Sequence, residues 1–169
     1  MRTLLYYYNT SLKIERVDFN SCASFEYLEV KLHTASTVVR IAAVYRPPSS
    51  KVNKLISAQF FHDFNDLLEH FLVSSGRLLI MGDFNFQVTE PSRDRLPARF
   101  LDFLDSYNLA QHVTEPTHKR KGTLDLIITR TNEDAVLICK VEDPDLSDHY
   151  AVHCMLTLDK PTARRVEKT

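Results

Sequence analysis

Residues 37–45, Thr-Val-Val-Arg-Ile-Ala-Ala-Val-Tyr, are β-branched and apolar almost without interruption. A strand of that kind is expected to be buried on both faces, so the chain has to build layers around a central sheet. Residues 77–81 (Arg-Leu-Leu-Ile-Met) are a second short apolar run and predict a second central strand. Between the two, the spacing of Phe60, Phe64, Leu67, Leu68, Phe71 and Leu72 predicts a helix over 57–73 with one apolar stripe, stopped by Ser74-Ser75-Gly76. Pro47-Pro48-Ser49-Ser50 must be loop.

The flanking sequence reads as more strands and one more helix. Strands are expected at 4–8, 12–17 and 25–32. The last alternates Phe25, Tyr27, Glu29 and Lys31 against Leu28, Val30 and Leu32, and the short turns imply antiparallel pairing. A helix over 98–107 gathers Phe100, Phe103, Leu104 and Tyr107, and strands follow at 124–129, 135–141 and 150–158. This mixture predicts a layered α/β sandwich. With 169 residues, 44% of them apolar, the chain suits one domain, expected over 1–159, with 160–169 as a flexible basic tail. Cys22, Cys139 and Cys154 are odd in number and far apart, which argues against a disulfide framework or a zinc site and points to a reducing, intracellular setting. The apolar start at 1–8 is too short for a signal peptide or a membrane span, so no membrane partner is expected.

A net charge of −1 carries no overall electrostatic footprint of a nucleic-acid binder, so any basic contact surface must be local. Three clusters could supply one: Arg93, Arg95 and Arg99; Lys119, Arg120 and Lys121; and Lys160, Arg164, Arg165 and Lys168. Each could equally be a solvated face. Four polar corners at strand ends are where chemistry could collect. Asp83 and Asn85 follow the 77–81 strand and, two apart in extended chain, would point the same way; together they could orient a water. Ser147-Asp148-His149 offers a hard oxygen ligand beside a titratable imidazole. Asp125 sits inside an apolar strand and needs a partner: His149, Arg130 or a backbone donor. Tyr45, followed by Arg46-Pro47-Pro48, could present its hydroxyl to a phosphate, as could Thr114 and Thr117 beside Lys119, Arg120 and Lys121. Taken singly, each corner is also readable as a turn or a packing residue.

In order, Tyr-x-Pro-Pro, Gly-Asp-Phe-Asn, Thr-Leu-Asp-Leu-Ile-Ile and Leu-Ser-Asp-His resemble the endonuclease/exonuclease/phosphatase superfamily. The stretch from Leu109 through His118 and on to Arg130 looks like the apurinic-type endonuclease domain of non-LTR retrotransposons. The resemblance implies a deoxyribonuclease I-like fold: a layered sandwich of two mixed, mainly antiparallel β-sheets flanked by helices. It implies a magnesium-dependent endonuclease (Mn2+ also serving) that nicks DNA, in a nuclear setting, with a reverse transcriptase domain as partner in the parent polypeptide. Asp83 would align the attacking water and Asn85 would hold the phosphate. His149, held by Asp125, would contact the scissile phosphate, Tyr45 would support it, and Asp148 would ligate the metal. Thr117 and Ser147 would contact phosphate, with Arg46, Lys119, Arg120 and Lys121 as DNA contacts. The family's upstream catalytic Asn and metal-ligating Glu have no counterpart, so the chain is expected to be N-terminally truncated and to bind a cation weakly. A catalytically dead remnant of such a domain, or a phosphoesterase acting on inositol phosphates or another phosphodiester, are the alternatives.

Overall fold

The computed structural model describes residues 4–18, 22–48, 57–88, 96–143 and 145–160. Its N-terminal strands form a meander, β1 (Ile14–Val17), β2 (Glu26–His33) and β3 (Val38–Tyr45), each antiparallel to the next. The helix α1 (Ser57–Leu72) then crosses over, and β4 (Arg77–Asp83) returns parallel to β3. The helix α2 (Leu96–Ser106) leads into a short β5 (Leu109–Gln111), and β6 (Asp125–Arg130) runs between β4 and β5, antiparallel to both. The six-stranded sheet therefore has the order β1-β2-β3-β4-β6-β5. β7 (Val136–Glu142) and β8 (Ala151–Leu156) form a separate antiparallel pair.

The central strands are covered on both faces, as their composition requires. Side chains alternate along a strand, so Ala42, Val44, Leu78, Ile80, Leu126 and Ile128 face one side. There they meet Phe60, Phe61, Phe64, Leu67, Leu68 and Phe71 of α1 and Phe100 and Leu104 of α2. Each buried large apolar side chain contributes about 1.5–3 kcal/mol, so packing, not intrinsic propensity, holds α1. Leu79 and Ile127 face the other side with Val113, joined by Ile41 and Met81, and the β7–β8 pair packs Val136, Cys139, Val141, Val152, Cys154 and Leu156 against them. All three cysteines are half-buried, and none forms a disulfide among the described residues.

Two details differ from expectation. Residues 4–8 are not a strand: Tyr6 sends its hydroxyl to the carbonyls of Leu28 (3.2 Å) and Ile41 (3.0 Å), and the segment makes no ladder of its own. Leu72 falls off the helical stripe and is exposed, while Phe61 is buried instead. Glu29 of β2 is fully buried, its carboxylate paired with Arg40 at 2.5 Å and within 3.4 Å of His70 on α1. The basic residues Arg93 and Arg95, and the expected tail beyond Lys160, lie outside the described residues. Among the described residues, no helix is long and apolar enough to cross a membrane.

Candidate active site

Register assembles the first half of the site. Tyr45 of β3 pairs with Asp83 of β4, and Asp83 pairs with Asp125 of β6. Residues paired in this way share a face, so three polar groups form a row across three adjacent strands at one end of the sheet. Met81 and Ile127, two residues back along their strands, pack towards β7–β8, so the row faces that side too. The turn entering β8 delivers His149 to the row, and His149 Nδ1 lies 2.9 Å from Asp125 Oδ2. Arg130, the other candidate partner for Asp125, is engaged elsewhere: it binds Glu133 at 2.8 Å and caps the end of α1 through the carbonyls of Phe71 and Gly76.

The Asp83–Asn85 corner is anchored from behind. Phe84 and Phe86 are buried in the aromatic cluster under α1. The chain is not extended here: Asn85 has φ 50°, and Asp83 Oδ1 accepts the Asn85 N–H at 3.0 Å. Asn85 Nδ2 donates to the Arg46 carbonyl at 2.7 Å, which leaves its second amide hydrogen for another acceptor. Gly82 makes the corner possible. Its φ is +141°, and a Cβ there would stand 1.9 Å from the Val44 carbonyl oxygen, so β3 and β4 approach too closely for any side chain.

Two expected phosphate or DNA contacts are turned inward. Arg46 is buried, its guanidinium stacked over Phe86 (4.1 Å to the ring centre) and donating to the carbonyl oxygens of Phe84 (3.2 Å) and Asn85 (3.4 Å). It braces the corner instead of facing solvent, because loop carbonyls beneath the aromatic cluster need a donor. Thr117 is fully buried, and its hydroxyl oxygen accepts the N–H groups of Leu124 (2.9 Å) and Asp125 (3.0 Å). It thereby fixes the entry to β6. Ser147 holds its own turn, accepting the His149 N–H at 2.9 Å and donating to the His149 carbonyl at 3.0 Å. Lys119, Arg120 and Lys121 are exposed on the neighbouring turn.

Electrostatics favour a charged imidazole. Burial pulls the His149 pKa down, but the hydrogen bond and charge of Asp125, with Asp83 and Asp148 adding, carry it above the ordinary 6.5. Asp148 is held below the usual carboxylate value by its own backbone N–H and by His118. The donor atoms of Asp83, Asp125 and His149 lie within 4.8 Å of one another, and so do those of His118, Asp148 and His149. His118 was not among the residues expected from sequence; its one signal was its place after Thr117 in Glu-Pro-Thr-His. Asp148, exposed and ionised, offers one hard oxygen. That fits a magnesium ion, which binds through one or two carboxylates and takes its remaining ligands from water and phosphate.

Residues 39–153 match the family model described as endonuclease-reverse transcriptase. No curated protein sequence matches significantly. Among solved structures, the endonuclease domain of TRAS1, a telomere-specific non-LTR retrotransposon, superposes with a TM-score of 0.63 at 15% identity, covering 83% of this chain and 65% of that one. The 3′ phosphatase NExo from Neisseria, bound to a product DNA hairpin, gives 0.56 at 16% identity, covering 77% and 65%. The inositol polyphosphate 5-phosphatase domain of SPsynaptojanin, in complex with inositol (1,4)-bisphosphate and calcium, gives 0.58 at 13% identity, covering 86% and 55%. The chain thus spans 55–65% of the length of these structures. At such identities the likeness establishes the fold, an α/β sandwich of the deoxyribonuclease I type.

Proposed function

We propose, for a chain that belongs to the endonuclease-reverse transcriptase branch of the endonuclease/exonuclease/phosphatase family, that its Asp83–Asp125–His149 site hydrolyses phosphodiesters of DNA as an endonuclease. The observation that carries the reading is the 2.9 Å His149–Asp125 pair beside Asp83. An imidazolium and an ionised carboxylate, held close by separate strands, are what an in-line displacement at phosphorus requires.

In this reading Asp83 accepts a proton from the attacking water, whose oxygen bonds to phosphorus. His149, kept protonated by Asp125, neutralises charge on the phosphate as the bond to the leaving oxygen breaks; that oxygen keeps the bonding pair and takes a proton from solvent water. Asn85 gives its remaining amide hydrogen to a phosphate oxygen, and Tyr45 supports the leaving side. Asp148 holds a divalent cation, magnesium or manganese, which when bound supplies Lewis-acid stabilisation of the phosphate. Ser147 keeps the corner closed, while Lys119, Arg120 and Lys121 meet the strand backbone through charge alone. Arg46 and Thr117, being buried, act by bracing. Cleavage of a target site for a non-LTR element, in the nucleus and beside a reverse transcriptase domain of the same polypeptide, is the setting we propose.

Supercoiled-plasmid nicking in magnesium tests this. His149→Ala and Asp83→Asn should each lose at least about 100-fold in rate; nicking equal to the wild type would overturn the assignment. The likeness to the SPsynaptojanin domain favours one other reading, a phosphoesterase of inositol phosphates. Phosphate release from an inositol polyphosphate without DNA nicking would select it. Absence of both activities would mark a catalytically dead remnant.

A further inference from the structure

We infer that His118 is a positioning residue for Asp148, turning an exposed carboxylate into an oxygen ligand with a fixed place. The inference rests on the reading of Asp148 as the cation ligand. His118 Nε2 lies 3.3 Å from Asp148 Oδ2, and the two side chains are 12% and 73% exposed. Asp148 alone, on a turn, would sample its rotamers freely. A largely buried imidazole beside it removes that freedom.

At first sight His118, Asp148 and His149 look like three metal ligands, since their donor atoms lie within 4.8 Å of one another. Hydrogen-bond polarity argues otherwise. The backbone N–H of Arg120 donates to His118 Nδ1 at 3.0 Å. A ring nitrogen that accepts carries no proton, so the neutral ring holds its hydrogen on Nε2. His118 therefore meets Asp148 as a donor, with no lone pair there for a cation. His149 is arranged the other way. Its Nδ1 faces the Asp125 carboxylate, so in the neutral ring the hydrogen sits on Nδ1 and not on Nε2.

The backbone makes the arrangement rigid. His118 and His149 form an antiparallel bridge. Around it, Tyr150 N donates to Thr117 O at 2.7 Å and Lys119 N to Asp148 O at 2.9 Å. Lys121 N closes the turn on His118 O at 2.8 Å, and the two imidazole rings stand edge to face, 4.9 Å apart. The 117–121 turn and the 147–150 corner are thus one short ladder, and His118 moves with the group it orients. A partner that only orients a ligand still matters for binding, typically by one order of magnitude or more in affinity.

Long-range proton–nitrogen NMR of the metal-free chain at mildly alkaline pH reads the tautomers directly. His118 should carry its proton on Nε2 and His149 on Nδ1. Manganese binding, followed by electron paramagnetic resonance, should weaken about ten-fold in His118→Ala and recover most of that in His118→Gln, whose amide can still donate. A proton on Nδ1 of His118, or equal manganese affinity in wild type and His118→Ala, would overturn the inference. The tautomer result needs only the wild type, so it stands even where His118→Ala fails to fold. If tautomers and affinities come out as stated while the wild type nicks no DNA, the endonuclease reading fails and this one holds.

Discussion

In Gly82→Ala the new methyl group would stand 1.9 Å from Val44 O, 2.8 Å from Val44 C and 3.0 Å from Val44 N. These are backbone atoms of the neighbouring strand and cannot rotate away. Side-chain Cβ atoms essentially never approach closer than 3.0 Å, so β3 and β4 must part by roughly 1 Å at this point. Strand hydrogen bonds near 2.9 Å would then stretch beyond useful range. Two weakened ladder bonds at about 0.5–1.5 kcal/mol each add to about 1–3 kcal/mol of strain from a φ of +141° in a residue with a side chain. The expected loss is about 4 kcal/mol, or roughly 8–16 °C in Tm for a domain of this size. The damage is also local to function, since Asp83 is the next residue and Arg46 N is hydrogen-bonded to Asp83 O at 2.8 Å. Urea denaturation gives the stability, and amide chemical shifts of Asp83 and Asn85 give the geometry. A variant within 1 kcal/mol of wild type (~2–4 °C), with those shifts unmoved, would refute the reasoning.

Glu29→Ala leaves Arg40 buried without its carboxylate and should cost about 3–5 kcal/mol; a cost below about 1 kcal/mol in the same denaturation assay would show that Arg40 finds water or another acceptor. Thr117→Val removes the acceptor of two part-buried N–H groups, and about 1–3 kcal/mol should be lost, with Thr117→Ser restoring most of it. Asp125→Asn should lower the His149 pKa towards 6.5, visible in an NMR titration of the ring. Because the folded value is raised, the pair stabilises the fold fully below 6.5, and that contribution disappears as pH rises through the folded value. Wild type and Asp125→Asn should therefore differ most below 6.5 and converge as pH rises past the folded value; a pH-independent gap would contradict the linkage.

Strong periodicity was legible in the sequence. The 37–45 and 77–81 runs and the α1 stripe had one consistent reading, and they became β3, β4 and α1. The need of Asp125 for a partner was legible as well, because an acid among Leu124, Leu126, Ile127 and Ile128 is costly alone; which partner it takes depended on where β8 begins. What sequence could not show was the direction of polar side chains at loop ends. Arg46 and Thr117 look like surface contacts until the carbonyls and N–H groups they serve are in place. Glu29 sits in an alternating strand whose pattern does not show its partners; α1 lies over that face and supplies His70. The tyrosines at 6–8 raised strand propensity where, among the described residues, no strand pairs with them. β5, three residues long, is too short to carry a periodic signal.

The position of Asp125 in β6 has a consequence for how the sheet assembles. A slip of one residue in the β4–β6 ladder would swap the faces of the whole strand. Leu126 would then protrude beside the imidazole, and the carboxylate would be driven among Phe60, Phe64 and Phe100. It would lose its hydrogen bond to His149 and enter an apolar face, so the misaligned sheet is penalised. The acid that partners His149 thus also polices the alignment of the strand that bears it.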